Sequence, residues 1–210
     1  MGLKAILGLK KSKPKLSMLP KPVFTTASTR SRADTKPNAA PVKPKRSYWE
    51  NRVNSFYLQH ISTLVRFIGR DAKSIIDVGS NGCPYLEWFE WIPRKVSIDL
   101  KQPYSSSTTE GIRADFLALE VGEKFDLCLC LQVLEHVPDV ERFAHKLLSV
   151  SPHVIVSVPY RWPIGKNTSH IQDPVDEAKV ESWFGRASDF KMISTEKSGT
   201  QRMICYFQGR

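Results

Sequence analysis

Between residues 48 and 68 the apolar side chains recur every three or four positions. Trp49, Val53, Phe56, Tyr57, Ile61, Leu64, Val65 and Ile68 share one face, and Gly69 ends the run. That spacing predicts an amphipathic helix. The period then changes. Residues 74–78 are a short apolar run closed by Gly79, and strand-like runs follow at 96–100, 111–116, 125–133 and 153–158, the last stopped by Pro159. Between the last two, Val140, Phe143, Ala144, Leu147 and Leu148 form a helical stripe over 139–150. Strands alternating with helices predict a parallel sheet covered on both faces. Residues 190–196 and 202–208 then read as two strands joined by five residues. That is a hairpin, so one of its strands runs antiparallel to the rest.

Charge divides the chain. Residues 1–46 carry twelve of the 31 Lys and Arg but a single acid, Asp34, whereas the remainder is close to neutral. Within that arm, residues 12–46 are rich in Pro, Lys, Ser and Thr and hold too little apolar surface to offset their ordering entropy. A basic, disordered arm over 1–46 and one folded domain over 47–210 are therefore expected. Leu3, Ile6, Leu7 and Lys10 follow helical spacing at the start. Three readings stand for residues 1–11: a solvated basic tail, a weak membrane-surface contact, and mitochondrial targeting. Ile6 does not suit myristoylation of Gly2. No run approaches the roughly 18 apolar residues of a bilayer span, and the expected location is cytoplasmic. Cys83, Cys128, Cys130 and Cys205 form no C-x-x-C pair. They read as reduced core thiols, and no metal is expected.

The most informative stretch is Asp77-Val78-Gly79-Ser80-Asn81-Gly82, where an apolar strand delivers an acid and then a glycine turn. Glycine lets the backbone turn sharply and a ligand approach closely, and ligands of open α/β sheets bind at the carboxyl ends of strands. A second strand ends at Asp99, about 20 residues on, where a carboxylate can accept both ribose hydroxyls of an adenosine. The glycine spacing is not G-x-G-x-x-G. Pro84 also removes a backbone donor where a dinucleotide needs its pyrophosphate site.

At these residues the chain resembles the class I S-adenosylmethionine-dependent methyltransferases, specifically the small-molecule group that includes the ubiquinone-pathway enzymes. Asp77–Gly82 is similar to their first motif, and Ile98-Asp99 to the second acidic site. Ala114-Asp115-Phe116 is similar to the acid and aromatic flanking adenine. Phe125-Asp126-Leu127 and the run from Leu131 to Asp139 give the closest match, and Val156-Ser157-Val158-Pro159 resembles the following strand. Asn81 stands where many members have glycine. The resemblance implies an α/β, Rossmann-like, doubly wound sheet of seven strands, mostly parallel with a C-terminal antiparallel hairpin. It implies S-adenosylmethionine as cofactor. Gly79, Ser80, Asn81 and Gly82, with Asp77 nearby, would meet its amino-acid end. Asp99 and Leu100 would take the ribose, Asp115 and Phe116 the adenine, and Gln132 and Val133 the methionine side.

The acceptor is expected to be a small molecule or a saccharide, methylated on oxygen. Tyr160, Arg161 and Trp162 follow the fifth strand and are expected to line its pocket, with Arg161 suited to a carboxylate or phosphate. His136, with Pro138 and Asp139, reads as a helix start capped by Asp139. His170 reads as the general base, just before an Asp173-Pro174 helix start. Two rivals stay open: an RNA methyltransferase that uses the basic arm on phosphates, and a non-catalytic scaffold retaining the fold.

Overall fold

The computed structural model of the protein describes residues 47–209. The arm expected over 1–46, its amphipathic start included, lies outside the described residues. Seven strands form one sheet: β1 (Ser74–Val78), β2 (Arg94–Asp99), β3 (Thr109–Arg113), β4 (Leu127–Leu131), β5 (His153–Pro159), β6 (Phe190–Thr195) and β7 (Gln201–Gln208). Their order is β3-β2-β1-β4-β5-β7-β6. β7 runs antiparallel to both β5 and β6, and the other pairs are parallel. This is the mostly parallel sheet with a terminal hairpin that the periodicity implied.

Three α-helices cover it: α1 (Phe56–Ile68), α2 (Val140–Val150) and α3 (Glu177–Phe184). Side chains alternate across a strand, and β4 shows the consequence. Leu127, Leu129 and Leu131 join the layer formed with Tyr57, Leu58, Ile61 and Val65 of α1. Cys128 and Cys130 join the opposite layer with Phe143, Ala144 and Leu147 of α2 and Val180, Trp183 and Phe184 of α3. All five residues of β4 are buried, as expected of a central parallel strand. The four cysteines are buried free thiols. Among the described residues, no helix is long and apolar enough to cross a membrane.

Boundaries differ from the sequence reading in instructive ways. α1 begins at Phe56, and residues 48–54 form turns instead of its first helical coils. Ser55, in extended geometry, makes no side-chain cap. The cap comes from Glu196, whose carboxylate accepts from the backbone N–H of Phe56 at 2.9 Å and of Tyr57 at 3.2 Å. Exposed N–H groups at a helix start need such a partner, and this one lies 140 residues away in sequence. Asp173-Pro174 does not start α3. Asp176 caps that helix by accepting from Lys179 N at 3.0 Å. Asp139 holds the position before α2 without a side-chain cap bond, and His136 belongs to a separate short 3-10 helix, Leu134–His136. β4 stops at Leu131 because Gln132 turns into the left-handed region at φ +59°.

Candidate active site

The strand order reverses at β1, which pairs with β2 on one side and β4 on the other. The loops leaving β1 and β4 diverge, and a crevice opens at their carboxyl ends. Two cavities fill it, of about 430 and 380 Å³, and both are lined by Gly79, Asp99, Leu100, Val133 and His136. The first is the more polar, with Arg52, Asn81, Lys101 and Gln132 on its wall. The second is an apolar slot between Phe116, Val137, Pro138 and Phe143, with Asp115 at its edge. Phe116 is held by the Phe143 ring, 5.0 Å away.

The turn after β1 explains its own residues. Gly79 has φ +90°, and a Cβ there would lie 2.3 Å from Cγ2 of Val133. Only glycine satisfies both conditions. Asn81 has φ +48°, a left-handed geometry that asparagine tolerates better than most residues. The asparagine therefore does the conformational work of a glycine. Its backbone N–H donates to Asp99 Oδ2 at 2.9 Å, while Lys101 N and Gln102 N donate to Oδ1 at 2.8 Å each. A carboxylate offers about four acceptor positions. Three are occupied here, so Asp99 has room for one further hydroxyl rather than the two expected.

Of the residues expected around the cofactor, Gly79, Ser80, Asn81, Asp99, Leu100, Asp115, Phe116, Gln132 and Val133 line one or both cavities. Asp77 and Gly82 do not. Gly82 turns at φ +69° behind the wall, against the Gln102 side chain. Asp77 is fully buried. Its Oδ1 accepts from the Tyr85 hydroxyl at 2.6 Å, and Oδ2 has no hydrogen-bond partner. Asp77 thus braces Tyr85, which does line the polar cavity.

Burial pushes the Asp77 pKa up to about 7, against a smaller opposing effect of the Tyr85 hydrogen bond. In the unfolded chain an aspartate titrates near ~3.9. The folded state therefore binds this proton more tightly. The resulting stability is complete below the unfolded value and is lost as pH rises through the folded value of about 7. Melting temperatures recorded between about pH 4 and pH 7 should fall less steeply for Asp77→Asn than for the parent chain. Parallel curves would mean that Asp77 ionises freely in the fold.

The acceptor side departs from expectation. Neither Tyr160, Arg161 nor Trp162 lines either cavity. The Tyr160 hydroxyl donates to Glu177 at 3.0 Å, exposed Arg161 pairs with the same carboxylate at 3.5 Å, and Trp162 Nε1 donates to the Gln201 carbonyl at 2.9 Å. His170 is not a free base either. Its side chain is 4% exposed, with Nδ1 2.8 Å from Asp173 Oδ2 and Nε2 2.8 Å from the Asn167 amide nitrogen. Trp162 stacks on the ring. The acid read as a helix cap is spent on holding this histidine.

In their place stand residues that motif reading did not supply. Tyr48, Trp49, Arg52 and Tyr57 come from the segment before β1 and line the polar cavity. Their signal in the sequence was a density of aromatics around Arg52, which was absorbed into a longer helix. Arg52 lies over the Tyr48 ring at 4.2 Å. His136 was read as part of a helix start, yet its imidazole lines both cavities. Its Nδ1 is 2.9 Å from the Ser169 carbonyl, and burial lowers its pKa. Beside it, Glu135 is buried, and desolvation pushes its pKa up to about 8.

Known proteins show the same architecture. No protein-family model matches the chain. The ubiquinone biosynthesis O-methyltransferase of Xanthomonas euvesicatoria pv. vesicatoria is 26% identical over 167 residues, covering 64% of this chain and 69% of that protein. The N-methyltransferase NodS from Bradyrhizobium japonicum, in complex with S-adenosyl-L-homocysteine, superposes with a TM-score of 0.62 at 13% identity, over 79% of this chain and 93% of that one. Magnesium protoporphyrin IX methyltransferase from Synechocystis, with bound S-adenosylmethionine, gives a TM-score of 0.57 at 14% identity, over 80% and 87% of the two chains. In fold and in the order of its motifs, the chain is similar to the class I S-adenosylmethionine-dependent methyltransferases.

Proposed function

We propose that the chain transfers the methyl group of S-adenosylmethionine to an oxygen of a small-molecule or saccharide acceptor, and that residues 47–210 carry this activity. The observation that carries the reading is the joined crevice at Gly79, apolar at one end and polar at the other, floored by a position that tolerates no side chain. That shape suits a ligand with a flat aromatic end and a charged amino-acid end. Phe116 and Asp115 would hold the adenine, Asp99 one ribose hydroxyl, and Gln132 with the Gly79–Asn81 turn the amino-acid end. Gln132 is itself held, since its Oε1 accepts from Arg202 Nε at 3.0 Å and its Nε2 donates to Ser157 Oγ at 3.2 Å.

S-adenosylmethionine supplies an electrophilic methyl group on a sulfonium. The crevice residues would orient an acceptor oxygen toward that methyl group, with S-adenosylhomocysteine as the leaving group and the acceptor proton going to a base or to water. The chain contributes mainly by orienting the two reactants and excluding water. Tyr48, Trp49 and Tyr57 supply apolar walls, and Arg52 supplies a cation that favours an acceptor bearing negative charge. The relative named for O-methylation in ubiquinone biosynthesis supports oxygen as the methylated atom.

The test is transfer of label from methyl-labelled S-adenosylmethionine to pooled small-molecule extracts, with products followed by mass. The expected result is a product heavier than its precursor by one methylene, among hydroxylated acids or sugars. Label entering RNA instead would favour the rival that uses the arm on phosphates. Cofactor binding without transfer to any acceptor would favour the scaffold.

A further inference from the structure

A third cavity lies between the residues before α1 and the turn that joins β6 to β7. It measures about 560 Å³ and shares Arg52 with the polar cavity. Its charged lining is uneven. Arg52, Lys197 and Arg202 stand there against a single acid, Glu196. Both oxygens of that acid are already engaged, Oε2 by Phe56 N and Oε1 by Tyr57 N and Arg202 Nη1. The lining thus keeps an excess of positive charge.

Arg202 is the unusual member. It pairs in register with Pro159 at the carboxyl end of β5, on the ligand side of the sheet, and it is only 8% exposed. Arginine is seldom buried so deeply unless it is paired. Its Nε donates to Gln132 Oε1 at 3.0 Å and its Nη1 to Glu196 at 3.4 Å, which leaves Nη2 without a hydrogen-bond partner among the described residues. Its guanidinium lies over the Tyr57 ring, 4.6 Å from the centroid. Arg52 meets the same tyrosine from the other end, with Nη1 3.4 Å from the hydroxyl. The side-chain contacts of Arg52 are this hydroxyl and the Tyr48 ring, neither of them an anion. Burial lowers the Arg202 pKa, and the Arg52 charge pushes it the same way. Two cations held close together and partly desolvated are stabilised by an arriving anion.

We propose that Arg52 and Arg202 together bind an anionic group of the methyl acceptor, a carboxylate or a phosphate, while the oxygen to be methylated lies in the polar cavity. The planar fork of each guanidinium matches two oxygens of either group. Gln132 connects the two halves, since it lines the polar cavity and holds Arg202 Nε. The proposal rests on the methyltransferase reading and narrows its acceptor to a hydroxy acid or a phosphorylated alcohol or sugar. A neutral acceptor would leave both cations uncompensated. Motif reading did not reach Arg202, because β7 brings it to the crevice from the far end of the chain.

The experiment follows benzoate, phenyl phosphate and the neutral benzyl alcohol by ligand-observed NMR against the full-length chain, with and without S-adenosylhomocysteine. At least one anion should bind, and the alcohol should bind at least about tenfold more weakly. The tighter anion distinguishes carboxylate from phosphate. Arg52→Gln and Arg202→Gln should each weaken that anion by about 10- to 100-fold, the effect of losing a hydrogen bond to a charged group. Lys197→Ala, at an exposed position, should change it by only about twofold. Arg202→Lys keeps the charge without the fork and should fall between the parent and Arg202→Gln. Thermal melting verifies the fold of each variant. Should Arg202→Gln melt early, Arg52→Gln decides the case alone. Parent-like binding by Arg52→Gln, which is also the result if the basic residues of 1–46 capture the anions, would overturn the proposal. So would equal binding of the alcohol. A chain that binds S-adenosylhomocysteine but neither anion overturns the proposal and leaves the methyltransferase reading intact. Arginine-dependent anion binding without S-adenosylhomocysteine binding would keep the anion site and overturn that reading.

Discussion

Replacing Gly79 with alanine should weaken S-adenosylhomocysteine binding by about 100-fold or more. The backbone there is at φ +90°, and an added Cβ would stand 2.3 Å from Val133 Cγ2. The left-handed geometry costs an L-residue about 1–2 kcal/mol. Overlap with Val133 must be relieved as well, by moving the wall against which both cavities are built. Each ~1.4 kcal/mol that falls on the liganded state is a factor of ten in affinity. The two contributions can be separated. The double variant Gly79→Ala with Val133→Ala removes the overlap and keeps the backbone strain, so it should recover part of the lost affinity. Titration calorimetry on variants with verified folding gives the answer. Parent-like affinity in Gly79→Ala would place the ligand elsewhere.

The second large effect is expected at His136. His136→Gln should lower methyl transfer by about 10²–10⁴-fold, the range for losing a group that handles an acceptor proton, since its imidazole lines both cavities. Cofactor affinity should change little, because Asp99, Phe116 and the Gly79 turn are untouched. The kinetic signature is a fall in kcat with a nearly constant KM for S-adenosylmethionine. The contrast with Trp162 sharpens the test. Trp162 stacks on His170 but does not line the crevice, so Trp162→Phe should be nearly silent. Equal losses in the two variants would mean that the region matters only for folding.

Much of the architecture was legible because it is local. The 74–78 run ends in a glycine turn, the 125–133 run encloses the central strand, and the last two runs are too close for anything but a hairpin. These are patterns of period and punctuation, and tertiary contacts did not override them. The glycine turn was legible for the same reason, including the departure at Asn81, which the backbone angle now explains. What was not legible depends on contacts distant in sequence. The cap of α1 is supplied by Glu196, so nothing near Ser55 announces where that helix starts. Asp173 precedes a proline and has the composition of a helix cap, yet its carboxylate is recruited by His170. The acceptor wall illustrates the limit most clearly. Proximity to β5 suggested Tyr160, Arg161 and Trp162, but their side chains turn to Glu177, to Gln201 and to the His170 ring. The polar cavity is lined instead by Tyr48, Trp49, Arg52 and Tyr57, and their contribution depends on how the chain folds over the crevice before β1 begins. A motif marks strand ends, whereas a wall built from another part of the chain leaves only composition as its trace.

The central claim is that the crevice between the β1 and β4 carboxyl ends holds S-adenosylmethionine. The most direct measurement is a calorimetric titration of the full-length chain with S-adenosylhomocysteine, run beside the same titration with NAD⁺ and repeated on Asp99→Asn. The account predicts one-site binding of S-adenosylhomocysteine, none of the dinucleotide, and affinity weakened in the variant by about 1–2 kcal/mol for the altered ribose contact. No binding of S-adenosylhomocysteine, or a preference for NAD⁺, would contradict it.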